Sequence, residues 1–410
     1  MKKPNLLILG ASGGVATAFL HYLVHHRDFF NKLVLLSSKD KIKSNQYLDH
    51  ENLKYFFIKK RIDPYKKKEY LSLLKKYKID IVLDLTDSDS IPLLESTNNF
   101  GASYINTSMN SESRSVAELI FEIYPKKNKL NKAPHILCAG MNPGIVNMWV
   151  KHGISKFGLP KEIIHFEYDT SRALMPIKLR HVAITWSPHE FLVENVRDPS
   201  GVALGKNRIK ELLPNALTHR ESLKPILSPI LKFQKYPKGF VVLHEENVTL
   251  SLKYNLPSKF IYSIDEKAMS SLINIYKRKG KISKEDMTLI TNTNIPLEGS
   301  DNIGVLLNYN DKKVYYFNSA FNISMVGTNA TYFQVITGIF AALFTLLFDK
   351  LDKKVYFVED LDNTHYQNYM FDNMRVQEFI FKKIKGKTKI IKYNPMIKIK
   401  TTNNFKHIHI

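Results

Sequence analysis

The sequence predicts an α/β protein in which a Rossmann-type, doubly wound parallel sheet is followed by a second, α+β domain with a mostly antiparallel sheet. Two observations predict the first part. A short apolar strand runs directly into a glycine-rich turn and an apolar-periodic helix, and further short apolar strands then alternate with helical stretches. The second part is predicted because strands of alternating polarity follow one another from about residue 162 to residue 324.

Length and composition agree with this prediction. The chain has 410 residues, which is enough for two or three domains with buried cores. With 44% hydrophobic and 11% aromatic residues it has the composition of a globular protein and not of a disordered chain. The single cysteine, Cys138, excludes an intrachain disulfide framework and a cysteine-based zinc site, and it favours a reducing compartment.

We divide the chain into four segments. They are a dinucleotide-binding Rossmann domain at 1–143, a substrate-binding and catalytic α+β domain at 144–325, a helical return at 326–380 that packs on the Rossmann domain, and a basic tail at 381–410.

The first strand covers residues 5–9 and runs into the turn Gly10-Ala11-Ser12-Gly13-Gly14-Val15-Ala16. Glycines let the backbone approach a pyrophosphate closely, and the start of the next helix supplies unpaired N–H groups and the positive end of its dipole. The residues of this turn that we assign to the cofactor site are Gly10, Ser12, Gly13, Gly14 and Val15. The alternative is that the glycines serve only the turn.

The second strand, 33–36, ends at Ser37, which we also assign to the cofactor site. An acidic residue there would bind the ribose 2′-hydroxyl of NAD, but the strand runs into Ser37-Ser38-Lys39 and Asp40 comes late. Hydroxyls and a lysine suit a 2′-phosphate, so the sequence leaves NAD and NADP open. Further strands are predicted at 53–58, 79–84, 103–105 and 135–138, and the cofactor residues assigned after them are Thr86, Thr107, Met141 and Asn142.

Asn142 lies where the last of these strands gives way to a helix, predicted at 145–157. Ligands of open α/β sheets bind beyond the carboxyl ends of the strands, so the Asn142 amide is placed to face the nicotinamide or the reacting group. An asparagine before Pro143 that caps the helix is an equally good interpretation.

The segment 185–194 carries two local signals, a capping box with a proline at the first helical position and a hydrophobic staple. The capping residues are Ser187, Pro188 and Glu190, and the staple residues are Trp186 and Phe191. These signals do not account for Glu194, one helical turn beyond Glu190. A tryptophan beside a carboxylate would bind a cationic ligand through cation–π attraction and an ion pair.

Three more polar residues lie in or just after predicted strands. Glu167 interrupts the apolar run 163–168, and His244 and Glu246 close the strand 239–244, which is predicted to pair with a strand at 248–254. Each is more often a solvated or internally satisfied side chain than a catalytic one. No metal site is predicted, and the sequence patterns of zinc hydrolases, serine or thiol acyl transferases and P-loop proteins are absent.

The formal net charge of +22 raises the question of nucleic-acid or membrane binding. The lysines are scattered in ones and twos, and the densest run, 382–400, has few aromatic residues for base stacking, so we expect no nucleic-acid partner. The apolar stretch 335–348 is shorter than the roughly 20 residues that span a bilayer, and Gly10 interrupts the apolar start of the chain. We therefore expect a buried helix, no membrane association and a cytoplasmic protein.

On these residues the chain resembles the bacterial homospermidine synthases, relatives of the saccharopine dehydrogenase group. The matching segments are GMNPGIV at 140–146, EYDT at 167–170, Thr185-Trp186-Ser187 with Phe191, Leu192 and Glu194, FVVLH at 240–244, DNIGVLL at 301–307, and Asn329-Ala330-Thr331 with Gln334-Val335. The similarity extends from the first glycine turn to beyond residue 360.

The resemblance implies an enzyme that uses NAD without net redox change. A hydride leaves the amine-bearing carbon of putrescine, the imine exchanges its nitrogen with a second putrescine and releases ammonia, and the same hydride reduces the new Schiff base to homospermidine. The implied roles are Asn142 at the nicotinamide, Glu167 and Glu194 at ammonium groups, Trp186 at a cationic intermediate, His244 in the same pocket, and Asn110, Glu246 and Asp301 at the substrate.

This chain departs from the family's pattern at two positions. Ser37 replaces the acid after the second strand, and Asn110 replaces a carboxylate, so we expect weaker diamine binding or a changed substrate preference. The resemblance also implies a homodimer that binds putrescine and related polyamines. Two other interpretations stay open: an NADP-dependent reductive dehydrogenase of the saccharopine or carboxynorspermidine type, and a non-catalytic basic binding protein.

Overall fold

The computed structural model describes residues 3–39, 53–175, 180–291, 295–384 and 387–399. The contacts between these residues divide the chain into two compact units. Unit 1 contains the chain up to Met148 together with Tyr332–Asn373, and unit 2 contains Trp149–Thr331 and the strands that follow Met374. The sequence places the corresponding boundaries at residues 143 and 325.

Unit 1 is built on a seven-stranded parallel sheet. In chain order its strands are Asn5–Leu9, Lys32–Ser37, Phe56–Lys59, Ile81–Asp84, Ser103–Asn106, His135–Leu137 and Val355–Phe357. Across the sheet the order is seventh, sixth, fifth, fourth, first, second and third, and every neighbouring pair is parallel. This order, with its switch point between the first and fourth strands, confirms the predicted doubly wound, Rossmann-type sheet.

The helices of unit 1 follow the predicted alternation with strands. They are Gly14–Leu23, Lys67–Tyr77, Ser90–Phe100, Val116–Ile123 and His365–Asn373, with 3₁₀ turns at Val24–Phe29, Tyr124–Lys126 and Val358–Asp360. Local chemistry starts some of them: Ser115 closes a capping box with Glu118, whose carboxylate accepts the Ser115 N–H at 2.8 Å. Two more helices, Ile145–Phe157 and Ala330–Phe348, contain the unit boundaries.

The helix Ala330–Phe348 is long and apolar enough, by length and composition, to cross a membrane. However, 78% of its apolar window is buried inside the protein, as in a core helix. Within unit 1 its Phe340 ring lies 4.7 Å from that of Phe19, and Gly338 approaches the backbone so closely that an added Cβ would lie 2.2 Å from the Gly140 carbonyl oxygen. These contacts favour the predicted buried helix.

Unit 2 is built on a ten-stranded sheet. In chain order its strands are Glu162–Asp169, Ser200–Ala203, Ile209–Leu213, Arg220–Ser222, Lys238–Val242, Ser258–Ser263, Ser300–Asn308, Lys312–Phe321, Gln377–Ile384 and Lys387–Asn394. Glu162–Asp169 is parallel to Ser258–Ser263, and the other recorded pairs are antiparallel. The prediction of a mostly antiparallel second sheet is therefore confirmed.

Shorter elements surround this sheet. Two small sheets pair Arg172–Ala173 with Leu297–Glu298 and Val182–Ile184 with Met287–Leu289. The helices and helical turns are Pro188–Leu192 with a π turn at Val193–Arg197, Ala216–Thr218, Lys224–Leu227, Glu245–Tyr254, Glu266–Lys279, Lys284–Asp286 and Asn322–Ser324.

The strand predicted at 248–254 is wrong, because Glu245–Tyr254 is a helix. His244 is its N-cap, and the Asn247 side chain accepts the His244 backbone N–H at 3.2 Å. Glu245 and Glu246 lie in its first turn, where carboxylates interact favourably with the positive end of the helix dipole. Alternating polarity in the stretch VTLSLKY suggests a strand, but the capping interactions favour a helix.

The basic tail predicted from residue 381 is also wrong for its first part. Residues up to Ile384 complete one strand, and Lys387–Asn394 pairs with it antiparallel as the edge strand of the second sheet. Phe381 is buried in an apolar core, and the Tyr393 ring lies 4.7 Å from that of Phe379. These aromatic contacts hold the lysine-rich segment on the sheet.

The two faces of the strand Glu162–Asp169 differ in chemistry. Ile164 and Phe166 point into an apolar core with Ile261, Leu306 and Phe317. Because side chains alternate along a strand, His165, Glu167 and Asp169 lie on the opposite face. The candidate site of unit 2 is built on that face.

Candidate functional site

The glycine turn of unit 1 lies at the carboxyl end of its first strand. Gly10 has a φ of +74°, and a Cβ added there would lie 2.5 Å from the Leu85 carbonyl oxygen. The Gly13 N–H donates to the Gly10 carbonyl at 2.9 Å, and Gly13 is the N-cap of the helix Gly14–Leu23. The glycine at 10 is therefore required by the turn itself. The turn also leaves the helix N-terminus without a side-chain cap, as an anion site there requires.

Other residues assigned to the cofactor lie at the same edge of the sheet. Ser37 ends the second strand, and its hydroxyl forms a hydrogen bond with that of Ser12. The Thr86 hydroxyl donates to Asp84 at 2.7 Å, at the end of the fourth strand. The structure thus brings Ser12 and Ser37 together, while their role in cofactor binding stays a prediction.

Asp84 is a residue that the sequence analysis missed. It is buried, accepts the Thr86 N–H at 3.0 Å and accepts the Tyr104 hydroxyl at 2.6 Å. Burial raises the pKa of Asp84, while these hydrogen bonds oppose the rise. Asp84 therefore fixes the loop that carries Thr86. Its position as the last residue of a predicted strand is the signal that could have identified it.

The loops after the fifth and sixth strands are joined by backbone contacts. Asn106 accepts the Cys138 N–H through its side chain at 2.9 Å and the Ala139 N–H through its carbonyl at 2.8 Å. A Cβ on Gly140 would lie 3.3 Å from the Thr107 carbonyl oxygen. Thr107 therefore lies near Gly140, which directly precedes Met141 and Asn142.

Asn110 lies in unit 1, close to Thr86. Its side-chain N–H groups donate to the Thr86 carbonyl at 3.1 Å and the Ser108 hydroxyl at 3.3 Å. Asn142 is half-buried, belongs to the same unit and precedes Pro143 through a cis peptide bond. The remaining predicted catalytic and substrate residues lie in unit 2.

Acidic side chains gather on the polar face of the unit 2 sheet. Glu167 lies opposite Tyr262 on one neighbouring strand, and Asp169 lies opposite Asp301 on the other. All are buried, Asp301 completely. Burial raises the pKa of Tyr262 well above its ordinary value, and the charges of nearby carboxylates raise it further; they are Glu167, Asp169, Glu194 and Asp301. Tyr262 therefore lies among these acids, which we call the Tyr262 acidic group.

His244 is surrounded by a second set of carboxylates. Its Nδ1 lies 2.7 Å from Glu246 Oε2 and 3.2 Å from Glu245 Oε2, and its Nε2 lies 3.4 Å from Glu194 Oε1. Burial alone would lower the pKa of His244, but the three carboxylates outweigh burial and raise it well above its ordinary value. His244 is thus a buried side chain whose protonated form is favoured by three carboxylates, and Glu194 belongs to both groups.

The donor atoms of His244, Glu245 and Glu246 lie within 4.8 Å of one another, which is close enough to bind a metal ion. His244 Nδ1 lies within ion-pair distance of an oxygen of each carboxylate. Glu246 agrees with this arrangement: burial would raise its pKa, but the His244 charge outweighs burial and lowers it. An ion pair accounts for the geometry of this cluster.

Two of the predicted signals around Trp186 are confirmed, the Ser187 N-cap and the proline at the first helical position. Ser187 caps the helix Pro188–Leu192 by accepting the Glu190 N–H at 3.3 Å, and Pro188 is its first residue. The helix continues as a π turn at Val193–Arg197, which carries Glu194; such turns are frequent at functional sites. Trp186, Phe191 and Tyr262 line one small cleft of unit 2 with Asp169 and Asp265.

Unit 2 also contains residues that the sequence analysis missed. Asp169, Glu245 and Tyr262 belong to the groups above, and His165 lies on the same sheet face as Glu167. His165 is completely buried, burial lowers its pKa to about 4, and neither ring nitrogen has a hydrogen-bond partner among the described residues. Asp169 could have been found from its spacing, two residues after Glu167 on one strand. Tyr262 carried no local signal.

The arrangement in unit 2 suits a cationic ligand. Buried carboxylates bind ammonium groups through charge-assisted hydrogen bonds, and an indole ring attracts a cation to its face. The site is acidic although the whole chain carries a net charge of +22. Unit 1 offers a glycine turn, a helix N-terminus and hydroxyl groups, which are the features that hold a dinucleotide.

Comparisons with known proteins agree with the fold. Residues 6–133 match the family model described as the saccharopine dehydrogenase NADP binding domain. A crystal structure of a homospermidine synthase from Legionella pneumophila in complex with NAD is similar with a TM-score of 0.74 and 19% sequence identity, covering 90% of this chain and 89% of that one. An amine dehydrogenase from Mycobacterium smegmatis has a TM-score of 0.40 and 10% identity, covering 87% and 96%.

None of the curated proteins that were compared with the chain matches it. A nicotinamide dinucleotide is common to the two main similarities, since the family model is of an NADP binding domain and the Legionella enzyme holds NAD. Over 90% of its length the chain therefore has the fold of a homospermidine synthase, and its residues 6–133 match a saccharopine dehydrogenase NADP binding domain.

Proposed function

We propose that the protein is an NAD-dependent homospermidine synthase, which joins two putrescines, or a spermidine and a putrescine, by aminobutyl transfer through an imine. The observation that carries this proposal is the Tyr262 acidic group. Three of its four carboxylates, Glu167, Asp169 and Asp301, are buried on one face of the sheet. The fourth, Glu194, lies 3.4 Å from His244 Nε2 and adds its charge to theirs around Tyr262. Positive charge stabilises a cluster of buried carboxylates, and a protonated diamine supplies two positive charges.

Unit 1 would hold the cofactor. The Gly10–Gly14 turn leaves room for a pyrophosphate, because Gly10 and Gly13 carry no side chain and the helix start has no side-chain cap. Ser12 and Ser37 present hydroxyls at the end of the second strand, where a ribose would bind. Bound NAD would accept a hydride from the amine-bearing carbon and return it to the imine, so no external reductant is consumed.

Unit 2 would hold the substrate. Glu167 and Asp301 lie on neighbouring strands and would accept hydrogen bonds from one ammonium group, and Glu194 would accept one from another. The positive charge of His244 lowers the pKa of Glu246, and His244 Nε2 lies 3.4 Å from Glu194 Oε1. Trp186 would stabilise a cationic imine through the face of its indole ring.

One observation favours a second candidate, an NADP-dependent reductive dehydrogenase of the saccharopine or carboxynorspermidine type. The second strand ends at a hydroxyl pair, Ser12 and Ser37, and the Ser37 hydroxyl also accepts the Lys39 N–H at 3.1 Å. Hydroxyls and a lysine at this position suit a 2′-phosphate better than a carboxylate would. A non-catalytic binding protein on the same fold is the third candidate.

One experiment separates these candidates. The purified protein is denatured and any released nucleotide is identified, and the native protein is incubated with putrescine alone. NAD in the supernatant and homospermidine formed without added reductant support the proposal. Turnover that requires NADPH supports the second candidate. The absence of both bound nucleotide and turnover supports the third. Assembly as a homodimer and the lack of a nucleic-acid partner stay predictions, to be checked by light scattering and by binding assays.

A further inference from the structure

Trp186 is flanked on both sides by residues with firm contacts. On its N-terminal side, the Thr185 hydroxyl donates to Asp169 Oδ2 at 2.6 Å, and the Thr185 carbonyl accepts from the Asn329 side chain at 2.7 Å. On its C-terminal side, Ser187 caps the helix that begins at Pro188. The backbone at Trp186 is therefore fixed from both directions.

The Asp169 carboxylate is buried and accepts hydrogen bonds from neighbouring residues of the protein. It is 2% exposed, its Oδ1 accepts the Ser171 N–H at 2.7 Å, and its Oδ2 accepts the Thr185 hydroxyl. Each carboxylate oxygen thus already has a donor from the protein. Among the acids of the Tyr262 acidic group, Asp169 is the one that these bonds tie to the segment that carries Trp186.

We propose that Asp169 is a positioning residue that acts through Thr185 to fix the indole of Trp186 in the orientation that binds an ammonium or iminium group. The inference rests on the proposed function, which places a cationic amine at Trp186. Cation–π attraction requires the cation over the face of the ring, so a rotated indole loses it. Asp169 therefore acts on turnover without binding the substrate.

The chain contains two tryptophans, so the position of each indole can be followed separately. Labelling with 5-fluorotryptophan gives two ¹⁹F NMR signals, and the Trp186→Phe variant assigns them. Trp149 is completely buried on the helix Ile145–Phe157 and serves as the reference signal for a folded protein. The test variant is Thr185→Val, which removes the hydroxyl at nearly constant volume, and Thr185→Ser is the conservative variant that retains the hydroxyl.

We expect Thr185→Val to shift or broaden the Trp186 signal and to leave the Trp149 signal in place. With putrescine as substrate, kcat should fall about tenfold while KM changes less than twofold, because the loss is in the stabilisation of the cationic intermediate. Asp169→Asn should change the same signal in the same direction, and Thr185→Ser should restore both the signal and kcat.

Two results would overturn the inference. One is an unmoved Trp186 signal and an unchanged kcat in Thr185→Val. The other is a change of both tryptophan signals with an unchanged kcat per folded molecule, as a purely structural role would give. The proposed function has its own test, since putrescine must perturb the Trp186 signal of the wild-type protein. If it does not, that function fails, while a shifted Trp186 signal in Thr185→Val still supports the positioning by Asp169.

Discussion

Glu194 is the residue shared by the two acidic groups of unit 2. It lies 3.4 Å from the Nε2 of His244 and adds its charge to those around Tyr262. A carboxylate in this position can accept a charge-assisted hydrogen bond from an ammonium group. Its proposed role is to bind one end of the diamine.

Glu194→Gln should therefore reduce turnover strongly. Removing a charge-assisted hydrogen bond costs about 1.5–3 kcal/mol, which corresponds to a roughly 10- to 150-fold fall in kcat/KM for putrescine. The matched control is Lys235→Gln, which removes a charge from an exposed position of the same unit. Steady-state kinetics of both variants check this, and near-normal activity in Glu194→Gln would contradict the assigned role.

The histidines of this chain differ widely in their expected charge. Burial lowers the pKa of His26, His135 and His165 to about 4, so these side chains are neutral at pH 7. His244 is equally buried, but the carboxylates of Glu246, Glu245 and Glu194 hold its pKa well above its ordinary value. Neighbouring charge, and not burial, separates the catalytic candidate from the structural histidines.

His244 should make the stability of the protein depend on pH at the alkaline side. Because its folded pKa lies above the unfolded value of about 6.5, its stabilisation is fully present below that pH and is lost as the pH rises through the folded pKa. We expect the free energy of unfolding to fall from pH 6 upward, and His244→Gln to flatten this fall. Urea unfolding at a series of pH values checks it, and parallel curves for the two proteins would refute it.

At acidic pH the free energy of unfolding should depend on pH in the opposite direction, because the folded pKa of Glu246 is lowered. The folded pKa of Glu246 is lowered, so its contribution is present above the unfolded pKa and disappears as the pH falls through the folded one. The His244–Glu246 ion pair is thus most stabilising between the two unfolded pKa values, and its contribution declines on either side of that range.

At the scale of elements, the helix Pro188–Leu192 shows how local capping places a functional segment. It is a short helix, and its Ser187 N-cap orients the chain at Trp186. Helices of this length have little intrinsic stability, so caps and tertiary contacts decide whether they form.

Ser187→Ala should lower the free energy of unfolding by about 1 kcal/mol, because the Glu190 N–H loses its side-chain acceptor. Ser271→Ala is the control, since Ser271 lies inside the helix Glu266–Lys279 and bonds back to the Lys267 carbonyl. Alanine favours a helix interior, so this control should change stability by less than about 0.5 kcal/mol. Equal effects of the two changes in urea unfolding would argue against the cap.

Two glycines with positive φ allow a matched test of the cofactor turn. Gly10→Ala combines an unfavourable φ with a Cβ only 2.5 Å from the Leu85 carbonyl oxygen, whereas a Cβ at Gly101 meets nothing within 4 Å. Gly101→Ala should lower the free energy of unfolding by about 1 kcal/mol because of its positive φ alone. Gly10→Ala should lower it clearly more, because the added Cβ also collides with the backbone. Gly10→Ala should also lose NAD binding in a calorimetric titration, and retained binding with normal stability would contradict the described turn.

A helix or strand is predicted correctly from the sequence when its capping residues and its polarity pattern indicate the same structure. The glycine turn and the cap at Ser187 were predicted correctly because each is encoded within a few adjacent residues. The helix Glu245–Tyr254 was missed because its alternating polarity resembles a strand. The signals that outweigh this pattern, two acids in the first turn and Asn247 as a cap partner, were present but were interpreted as a hairpin loop.

At the scale of the whole molecule, the distribution of charge matters more than its sum. The chain carries +22, yet the described candidate site of unit 2 contains buried carboxylates and one imidazolium. Long-range repulsion of a dication is screened beyond about 8 Å at physiological salt. Local acidity can therefore bind a polyamine to a basic protein.

The preference for NAD or NADP can be measured without an activity assay, because a bound cofactor stabilises the folded protein. A ligand that binds only the folded state stabilises it by about 2.7 kcal/mol at 100 times its Kd. We expect NAD to raise the unfolding temperature and putrescine to raise it further. The control is NADP at the same saturation; a larger effect of NADP than of NAD would favour the reductive dehydrogenase.

The sequence by itself determined the Rossmann-type sheet, the cofactor turn and the segment that carries Trp186 and Glu194, because periodicity, glycines and caps act between residues a few positions apart. Only the tertiary structure decided that Glu167, Asp301 and Tyr262 share one face, because strand register joins residues more than 90 positions apart. The same holds for the charge of His244, which depends on Glu194, 50 positions away. Packing of distant segments creates the acidic site, and no local pattern encodes it.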